Sequence, residues 1–228
     1  MVALVTGCAN LRGIGAACVR ELATAGFEVA AHTAPGDGIG DLPATPFAAD
    51  LADPAAPAAL LAAVEERLGR ASVLVNNAAH SARDGFEALD AATIDAHLAV
   101  NTRAPMLLSA LLARGGGPGR IVNLTSGQGL GAMPGELAYT ASKGALETFT
   151  RQLAAEVARL RITVNAVGPG PNDTGWIDDA LRAELEPRFP MGRLGRPEDA
   201  ARVVAWLCSP DAGWVTGQVI HAEGGFVR

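Results

Sequence analysis

Residues 2–15, with the sequence VALVTGCANLRGIG, place a short apolar run directly before a glycine-rich turn. The run Val2–Val5 is typical of a strand that is buried on both faces of a parallel sheet. A helical pattern begins where the turn ends. Glycines between a strand and a helix let the backbone approach a pyrophosphate, which the free N–H groups of the helix N-terminus attract. Gly-x-Gly alone is a weak signal, but the preceding strand and the following helix together predict a nucleotide site.

Strands and helices alternate through the rest of the chain. Six further strands are predicted, at Glu28–Thr33, Thr45–Ala49, Ser72–Val75, Arg120–Leu124, Ile162–Val167 and Gln218–His221. Helical patterns begin at Pro54, cover 90–114 with a bend near Asn101, run through Tyr139 to about Leu160, and occupy Pro197–Leu207. This alternation predicts an α/β fold with a doubly wound parallel sheet. The glycine-rich break Gly115–Gly119 is too short to divide domains, so residues 1–228 are expected to form a single domain.

The composition argues against several classes of protein. The chain has 228 residues, of which 49% are hydrophobic and 18% charged, which describes a globular protein rather than a disordered one. A net charge of -6 offers no basic stripe for nucleic-acid phosphates. Cys8, Cys18 and Cys208 lack metal-ligand spacing, so no metal site is predicted and the thiols are expected in a reducing compartment. Because no membrane-spanning run or signal peptide is found, we expect a cytoplasmic protein without a membrane partner.

Tyr139 is the only tyrosine of the chain, and Lys143 is its only lysine. They stand four positions apart in a predicted helix, so their side chains lie on one face. A phenol titrates near ~10, and a neighbouring cation favours the phenolate. Lowering the pKa of the phenol by ~3 units takes ~4 kcal/mol, which a partly desolvated ammonium can supply. The pair predicts a tyrosine that exchanges protons near neutral pH; the alternative is a surface pair without a function.

The motifs jointly resemble those of the short-chain dehydrogenase/reductase family, and the resemblance extends over essentially the whole length of the chain. Gly7, Gly13 and Gly15 resemble the family's nucleotide-phosphate turn, although five residues separate the first two where the common pattern has three. Further matching segments are Asn76–Ala79, Pro169–Gly170 with Thr174, and Glu223–Gly225. The resemblance implies a Rossmann-type fold and an oxidoreductase that uses a nicotinamide cofactor.

The resemblance also implies roles for individual residues. The catalytic positions are Asn101, Ser126, Tyr139 and Lys143. The cofactor contacts are Gly7, Arg12, Gly13, Ile14, Gly15, Asp50, Leu51, Asn77, Ala78, Tyr139, Lys143, Pro169, Gly170 and Thr174. The expected substrate contacts are Ser126 and Gln128, together with Trp176 and Met191, which are expected because they add apolar wall within residues 171–196.

In the implied mechanism, Tyr139 is the general acid that protonates the alkoxide left by hydride transfer. Lys143 lowers the pKa of the phenol and binds the nicotinamide ribose. Ser126 donates a hydrogen bond to the carbonyl oxygen; the alternative is a strand-end hydroxyl that satisfies the local backbone. Asn101 is expected at a helix irregularity, where it anchors a water that relays protons to Lys143, unless it merely interrupts the helix.

Cofactor preference depends on the end of the second strand. An acidic residue there grips the ribose hydroxyls of NAD, but the strand ends in His32-Thr33-Ala34 and Asp37 lies beyond it in a loop. Arg12 stands immediately before Gly13, where phosphate-binding relatives often carry a basic side chain. NADPH is therefore expected in preference to NADH. The alternative is a solvated loop arginine, and solvated loop positions are also favoured for His32 and His80 over contacts with cofactor or substrate.

Residues 171–196 form an insertion in which apolar residues recur at helical spacing, namely Ile177, Leu181, Leu185 and Phe189. The pattern predicts a short amphipathic helix that closes over the cofactor as a substrate lid. An apolar wall suits an acyl chain and a ring ketone equally. Relatives that use an acyl carrier protein bind it through arginines at positions that are Gly117 and Leu160 here, which puts that partner in doubt.

The sequence thus predicts a reductase that uses NAD(P)H to transfer a hydride to a small-molecule carbonyl, a 3-oxoacyl thioester or a related ketone. A ketone or imine of specialised metabolism is the alternative substrate. A catalytically idle nucleotide sensor is the alternative from another class, but such sensors usually lose the tyrosine or the lysine. The helix of Tyr139 is also apolar on a second face, at Ala145 and Phe149, which favours a homotetramer or homodimer.

Overall fold

The computed structural model describes residues 1–228 and contains one seven-stranded parallel sheet. Its strands are β1 Val2–Val5, β2 Glu28–Thr33, β3 Thr45–Ala48, β4 Ala71–Asn76, β5 Gly119–Leu124, β6 Ile162–Gly168 and β7 Val219–His221. Their order across the sheet is β3-β2-β1-β4-β5-β6-β7. The chain runs outward from β1 to β3 and then returns to place β4 on the other side of β1. The carboxyl ends of β1 and β4 therefore border the crevice where a doubly wound sheet binds its ligands.

Seven α-helices cover the two faces of this sheet. They are α1 Ile14–Thr24, α2 Ala56–Leu68, α3 Ala91–Leu98, α4 Ala104–Arg114, α5 Leu137–Val157, α6 Asp179–Leu185 and α7 Pro197–Cys208. Helices α1 and α7 bury Val19 and Val204 in the core of one face, while α2 and α4 bury Leu60 and Leu108 in the core of the other. The predicted α/β fold, a doubly wound parallel sheet in one domain, is confirmed. None of the helices combines the length and apolar composition needed to cross a membrane.

Most predicted element bounds fall within two residues of the observed ones, and the exceptions have local causes. Helix α5 ends at Val157, earlier than predicted, because a 3-10 turn follows and Arg161 then takes a left-handed φ of 60°. The predicted helix over 90–114 is interrupted by a π-helical turn at Ala99–Arg103. The irregularity expected at Asn101 is therefore present. Pro105 follows it in the first turn of α4, where a missing N–H costs little.

The insertion at 171–196 has a small core of its own. Its helix α6 is shorter than the apolar pattern indicates, and a 3-10 turn at Glu186–Arg188 follows it. The apolar residues of the insertion pack against one another and against a residue near the C-terminus; they are Ile177, Leu181, Leu185, Phe189, Leu194 and Phe226. The sequence predicts that this apolar face closes over the cofactor, whereas the structure buries it within the insertion itself.

Candidate active site

A groove with a volume of about 490 Å³ opens at the carboxyl ends of β1 and β4. This volume falls within the range of roughly 300–1,000 Å³ that small-molecule and cofactor sites occupy. Side chains are excluded from its floor: a Cβ on Gly7 would lie 2.6 Å from Ala78 Cα, and one on Gly15 would lie 2.3 Å from Gly7 O. Helix α1 has no side-chain cap and no acidic residue in its first turn, so its free N–H groups suit an anion. The groove therefore fits a dinucleotide pyrophosphate.

Nine of the predicted cofactor contacts line this groove, namely Gly7, Gly13, Ile14, Gly15, Asp50, Leu51, Asn77, Ala78 and Thr174. Asn77 joins the two sides of the groove, because its Nδ2 donates to Thr6 O and to Gly7 O at 2.9 Å each. The other five predicted contacts lie outside the lining, namely Arg12, Tyr139, Lys143, Pro169 and Gly170. The turn at Pro169–Gly170 is held by Asn172, whose Nδ2 donates to Pro169 O at 2.7 Å.

Asn10 organises the two additional residues of the glycine turn. Its Oδ1 accepts the Arg12 N–H at 3.0 Å, and its backbone oxygen accepts the Gly13 N–H at 2.8 Å. Its Nδ2 donates to Thr174 O at 3.0 Å, which ties the turn to the insertion. The longer turn therefore keeps its glycines in the groove. Sequence shows the extra length, but not this bond to a segment far along the chain.

The four predicted catalytic residues share one neighbourhood beside the groove. Lys143 Nζ lies 5.7 Å from the centre of the Tyr139 ring. Ser126 follows β5 and lies close enough to the phenol to lower its pKa. Asn101 Nδ2 donates to Ser142 Oγ, next to Lys143, at 3.0 Å. Val100, the neighbour of Asn101, lines the groove, so the two sites adjoin.

Lys143 is buried, and its ammonium binds the backbone rather than the phenol. Only 2% of the residue is exposed, and Nζ donates to Leu124 O at 2.8 Å. Burial lowers the pKa of the ammonium to about 8. A desolvated ammonium needs a strong acceptor, and a strand-end carbonyl is stronger than a protonated phenol. The prediction that Lys143 lowers the pKa of the Tyr139 phenol is therefore wrong.

Tyr139 is half-buried, and desolvation raises the pKa of its phenol above the usual value of 10.0. The Ser126 hydroxyl acts against this shift and the Glu136 carboxylate adds to it. The direction is opposite to the predicted one because burial disfavours the phenolate. The phenol is consequently protonated at neutral pH, which is the form a proton donor needs. Apart from its interaction with the phenol, Ser126 Oγ makes only a weak hydrogen bond to Met133 Sδ, at 3.8 Å, so its hydroxyl can turn toward another acceptor.

The amide of Asn101 is fully engaged by the protein. Its Oδ1 accepts the His80 N–H at 2.7 Å, while its Nδ2 donates to His80 O at 2.9 Å and to Ser142 Oγ. The water predicted on this residue stays a prediction. The π-helical turn around Asn101 interrupts the regular ladder of helical hydrogen bonds.

A family model described as enoyl-(acyl carrier protein) reductase, of the short-chain dehydrogenase/reductase family, matches residues 7–227. The chain belongs to the short-chain dehydrogenase/reductase family. It is an oxidoreductase of the short-chain dehydrogenase/reductase type. An uncharacterized oxidoreductase of Bacillus subtilis is 45% identical over 243 residues, covering 100% of this chain and 97% of the relative.

Two further relatives are named for the reactions that they catalyse. The 3-oxoacyl-[acyl-carrier-protein] reductase of Pseudomonas aeruginosa is 37% identical over 98% of this chain and 96% of the relative. A solved structure of a promiscuous reductase, which catalyses keto-reduction at C1 during lugdunomycin biosynthesis, has a TM-score of 0.89. It is 34% identical, over 98% of this chain and 96% of that one.

In this short-chain dehydrogenase/reductase, Arg12 points toward the insertion rather than toward the end of β2. Its Nη2 lies 3.5 Å from Asp173 Oδ1, and its side chain is 70% exposed. Asp37 lines the groove together with Thr33 and Ala34, and no arginine or lysine does. The groove at the end of β2 is thus acidic, which the sequence does not predict because Asp37 lies in a loop beyond the strand.

His32 is a groove residue whose role the sequence interpretation missed. It is buried within β2 rather than solvated in a loop. Its Nδ1 accepts the Gly7 N–H at 3.2 Å, and its Nε2 lies 3.0 Å from Ala49 O. Burial lowers the pKa of the imidazole. The neutral ring joins the glycine turn to the end of β3; its position inside a predicted strand was the available signal.

The predicted substrate contacts have different surroundings. Gln128 Nε2 donates to Glu147 Oε1 at 2.6 Å, so this amide nitrogen holds the loop after β5 against α5 rather than facing a substrate. Trp176 Nε1 donates to Asn172 O at 2.9 Å and leaves its ring half exposed. Met191 is largely exposed. Trp176 and Met191 therefore offer free apolar surface on the insertion.

An ion pair between the buried Glu223 and the C-terminal Arg228 packs against two segments of the site. Arg228 Nη1 and Nη2 donate to the two carboxylate oxygens of Glu223 at 2.8 and 2.7 Å. The guanidinium occupies the space beside Gly127, where a Cβ would lie 2.0 Å from Nη2. Glu223 occupies the space beside Gly170, where a Cβ would lie 2.8 Å from Cγ. The pair thus supports both the loop of Ser126 and the turn of Gly170.

Gly127→Ala is expected to lower the free energy of unfolding by ~1–3 kcal/mol, since the new methyl displaces the flexible end of Arg228 from Glu223, which keeps only His221 Nδ1 at 3.6 Å beside its carboxylate. Gly129→Ala is the matched control, because its Cβ would meet Glu147 Oε2 at an ordinary 3.6 Å. Chemical denaturation of both variants and the wild type measures the difference. Equal stabilities for the two variants would contradict this account of the ion pair.

Proposed function

We propose that this protein is a carbonyl reductase that transfers a hydride from NAD(P)H to a ketone or a 3-oxoacyl thioester. The observation that carries the proposal is the placement of the Tyr139 phenol beside a dinucleotide-sized groove, with Ser126 and Lys143 next to it. A carbonyl that accepts a hydride becomes an alkoxide. A proton donor beside the cofactor groove is what such a reduction requires.

The residues of the site divide the remaining work. The bound dihydronicotinamide supplies the hydride. Tyr139 gives its proton to the carbonyl oxygen, and the free Ser126 hydroxyl stabilises the charge that develops on the same oxygen. Lys143 uses one of its three N–H groups on Leu124 O, which leaves two for a ribose hydroxyl and for the phenolate formed. A water on the Asn101 carbonyl returns the proton through Lys143.

Other residues hold the cofactor in this proposal. The N-terminus of α1 and the glycine turn bind the pyrophosphate, because the groove excludes side chains there. Asp50 and Leu51 border the adenine end of the groove. Pro169, Gly170 and Thr174 hold the carboxamide at the other end, and the Glu223 side chain supports Gly170 from behind.

NADPH is the proposed cofactor, with NADH less favoured, and Arg12 decides between them. The exposed pair of Arg12 with Asp173 is worth only ~0–1 kcal/mol. A charge-assisted contact with the 2'-phosphate of NADPH contributes ~1.5–3 kcal/mol. Because this contact is stronger, Arg12 leaves the Asp173 carboxylate and binds the 2'-phosphate. Asp37 opposes this preference because it lines the groove near the end of β2.

Arg12→Ala is expected to weaken NADPH binding by about one to two decades and to change NADH binding much less, since only the phosphate contact is lost. Arg182→Ala is the matched control, because it removes the other arginine of Asp173 without touching the glycine turn. Fluorescence titration of each nucleotide without substrate gives the affinities. Equal losses of affinity for both nucleotides, or a wild-type preference for NADH, would show that Arg12 does not bind the 2'-phosphate of NADPH.

Two substrate classes have support. The Pseudomonas relative is named for 3-oxoacyl thioesters, and the lugdunomycin reductase for keto-reduction of a specialised metabolite. The apolar surface of Trp176 and Met191 suits both classes, with the insertion 171–196 as the lid. An acyl carrier protein is a doubtful partner because Gly117 and Leu160 replace the arginines that would bind it. An imine of specialised metabolism remains an alternative substrate.

A screen that follows NADPH oxidation tests this function. Its substrates are a 3-oxoacyl thioester, a simple diketone and a polycyclic ketone, with Tyr139→Phe as the inactive control. Turnover of any one of them supports the proposal. Tight NADPH binding without turnover would favour the idle nucleotide sensor instead, since that class binds the nucleotide and performs no chemistry.

We infer a homotetramer or homodimer in the cytoplasm. Leu98, Met106 and Leu107 are more than a third exposed, and they add apolar surface to helices α3 and α4 beside α5. Sedimentation at micromolar concentration tests the assembly, and a monomer would contradict it. The free and buried thiols of the three cysteines support a reducing compartment, which fractionation tests.

A further inference from the structure

Helix α5 carries Tyr139 in its first turn but has no cap from its own neighbourhood. The residue at its N-cap, Glu136, makes no side-chain hydrogen bond to the turn. The first two N–H groups are taken instead by Asp84, from the loop after β4. Its Oδ1 accepts the Leu137 N–H at 2.5 Å, and its Oδ2 accepts the Ala138 N–H at 2.8 Å. Tyr139 is the next residue, so one distant carboxylate fixes the backbone immediately before the phenol.

Asp84 is buried there without a cation. The residue is 7% exposed, and its carboxylate forms no salt bridge. Burying a carboxylate is costly, and here only the two N–H groups and the positive end of the helix dipole offset that cost. An Asp or Ser at position 136 would cap the helix from the surface without it. The use of a buried carboxylate from a distant loop therefore indicates a role for Asp84 beyond capping the helix.

The loop that carries Asp84 is fixed at several points around the site. The Asn101 amide binds both the N–H and the carbonyl of His80. His97 Nε2 accepts the Ala82 N–H at 3.2 Å, and its ring lies edge-on to Tyr139 with 6.4 Å between ring centres. Asp84 N donates to Gly135 O at 2.9 Å, two residues before α5 begins. The loop is thus hydrogen-bonded at one end to the π-helical turn and at the other to the first turn of α5.

We propose that Asp84 is a positioning residue for the reduction, which sets the place of the Tyr139 phenol by tying the first turn of α5 to the loop beside the nucleotide groove. This inference rests on the proposed function. Lys143 lies one turn further along and is held separately by Leu124 O. Loss of Asp84 frees the uncapped turn, so that the phenol moves relative to Lys143 while every reacting group is still present.

Asp84→Asn tests the proposal because the amide keeps the shape of the carboxylate but turns an NH2 group toward one of the two donors. Turnover is expected to fall by about tenfold to a hundredfold, while KM and nucleotide affinity stay within about twofold, as for a misplaced reacting group. Asp90→Asn is the matched control. Asp90 caps α3 through the same kind of bond, to the Thr93 N–H at 2.8 Å, on a helix without a reacting group. It is expected to turn over like the wild type.

A second readout needs no substrate, because Tyr139 is the only tyrosine. Protein labelled with [13Cζ]tyrosine gives one resonance whose shift reports the pKa of the phenol. The groups that face this phenol are Ser126, Glu136, His97 and Lys143. Asp84→Asn is expected to move the pKa down toward its usual value, because a loosened turn admits water to the ring. Asp90→Asn is expected to leave it unchanged.

Leu137→Pro keeps the test decisive if Asp84→Asn does not fold. Proline is tolerated at the first position of a helix and lacks the N–H, so it removes one donor and leaves Asp84 in place. A smaller shift of the phenol pKa in the same direction is expected. An unchanged phenol pKa in the variants of Asp84 and Leu137 would overturn the inference, as would equal effects of Asp84→Asn and Asp90→Asn. Wild-type inactivity toward every carbonyl would count against the proposed function alone, since the phenol readout does not depend on it.

Discussion

Tyr139→Phe is expected to lower turnover by about two decades or more and to leave NADPH binding nearly unchanged. The phenyl ring still packs beside His97, so the variant removes the proton donor and little else. Without that donor, the alkoxide formed by hydride transfer must take its proton from water, and Ser126 alone stabilises it. Steady-state reduction, with nucleotide affinity and thermal stability measured in parallel, separates lost chemistry from lost binding.

Two outcomes would contradict this role for Tyr139. Near-wild-type turnover of the phenylalanine variant would show that another group supplies the proton. A loss confined to nucleotide affinity would show that the tyrosine serves the cofactor rather than the carbonyl. The Ser126 hydroxyl is the competing donor, because it faces the same phenol and is otherwise held only by the weak hydrogen bond to Met133 Sδ.

Lys143→Arg is expected to lower turnover by about two decades as well, with the fold intact, although the positive charge is kept. The ammonium is a compact charge held at 2.8 Å from Leu124 O in a site that is 2% exposed. A guanidinium is wider and planar, so it cannot occupy this space and still serve both the phenol and the ribose. Turnover close to that of the wild type would show that only the charge matters.

The pH dependence of kcat/KM, compared between the wild type and Lys143→Arg, gives a control for this variant. Burial lowers the pKa of the Lys143 ammonium to about 8, so kcat/KM of the wild type is expected to fall above about pH 8 as the charge is lost. Tyr139 does not cause this fall, because its pKa is raised and the phenol stays protonated. An arginine stays charged throughout, and the residual activity of Lys143→Arg is expected to lack this decline. The same decline in both enzymes would assign it to another group.

The parallel sheet and the glycine turn were predictable because their signals are local. A short apolar run followed by a glycine turn is typical of a central strand, and the glycines of residues 7–15 mark the place where the backbone approaches another segment. The structure places Gly7 and Gly15 against backbone atoms, as that argument requires. The spacing of Tyr139 and Lys143 predicts one helical face, and both lie in α5.

The electrostatics of the site were not predictable in the same way. The sequence pairs Lys143 with the phenol because helical spacing brings them together, but their actual partners come from other elements. Burial and the Leu124 carbonyl determine the state of the ammonium. Desolvation raises the pKa of the phenol where proximity to a cation alone would lower it. Arg12 similarly turns to Asp173, a residue of the distant insertion.

The sequence by itself determined the succession of strands and helices along the chain, the position of the glycine turn and the choice of residues that we propose for the chemistry. Each of these depends on neighbours within a turn or two of the chain, where spacing and residue type suffice. Only the tertiary structure decided that Asp84 caps the helix of Tyr139, that His32 supports Gly7, and that Arg228 fills the space beside Gly127. Hydrogen bonds and ion pairs between distant segments depend on which groups burial deprives of water, and that is settled only when the whole chain has packed.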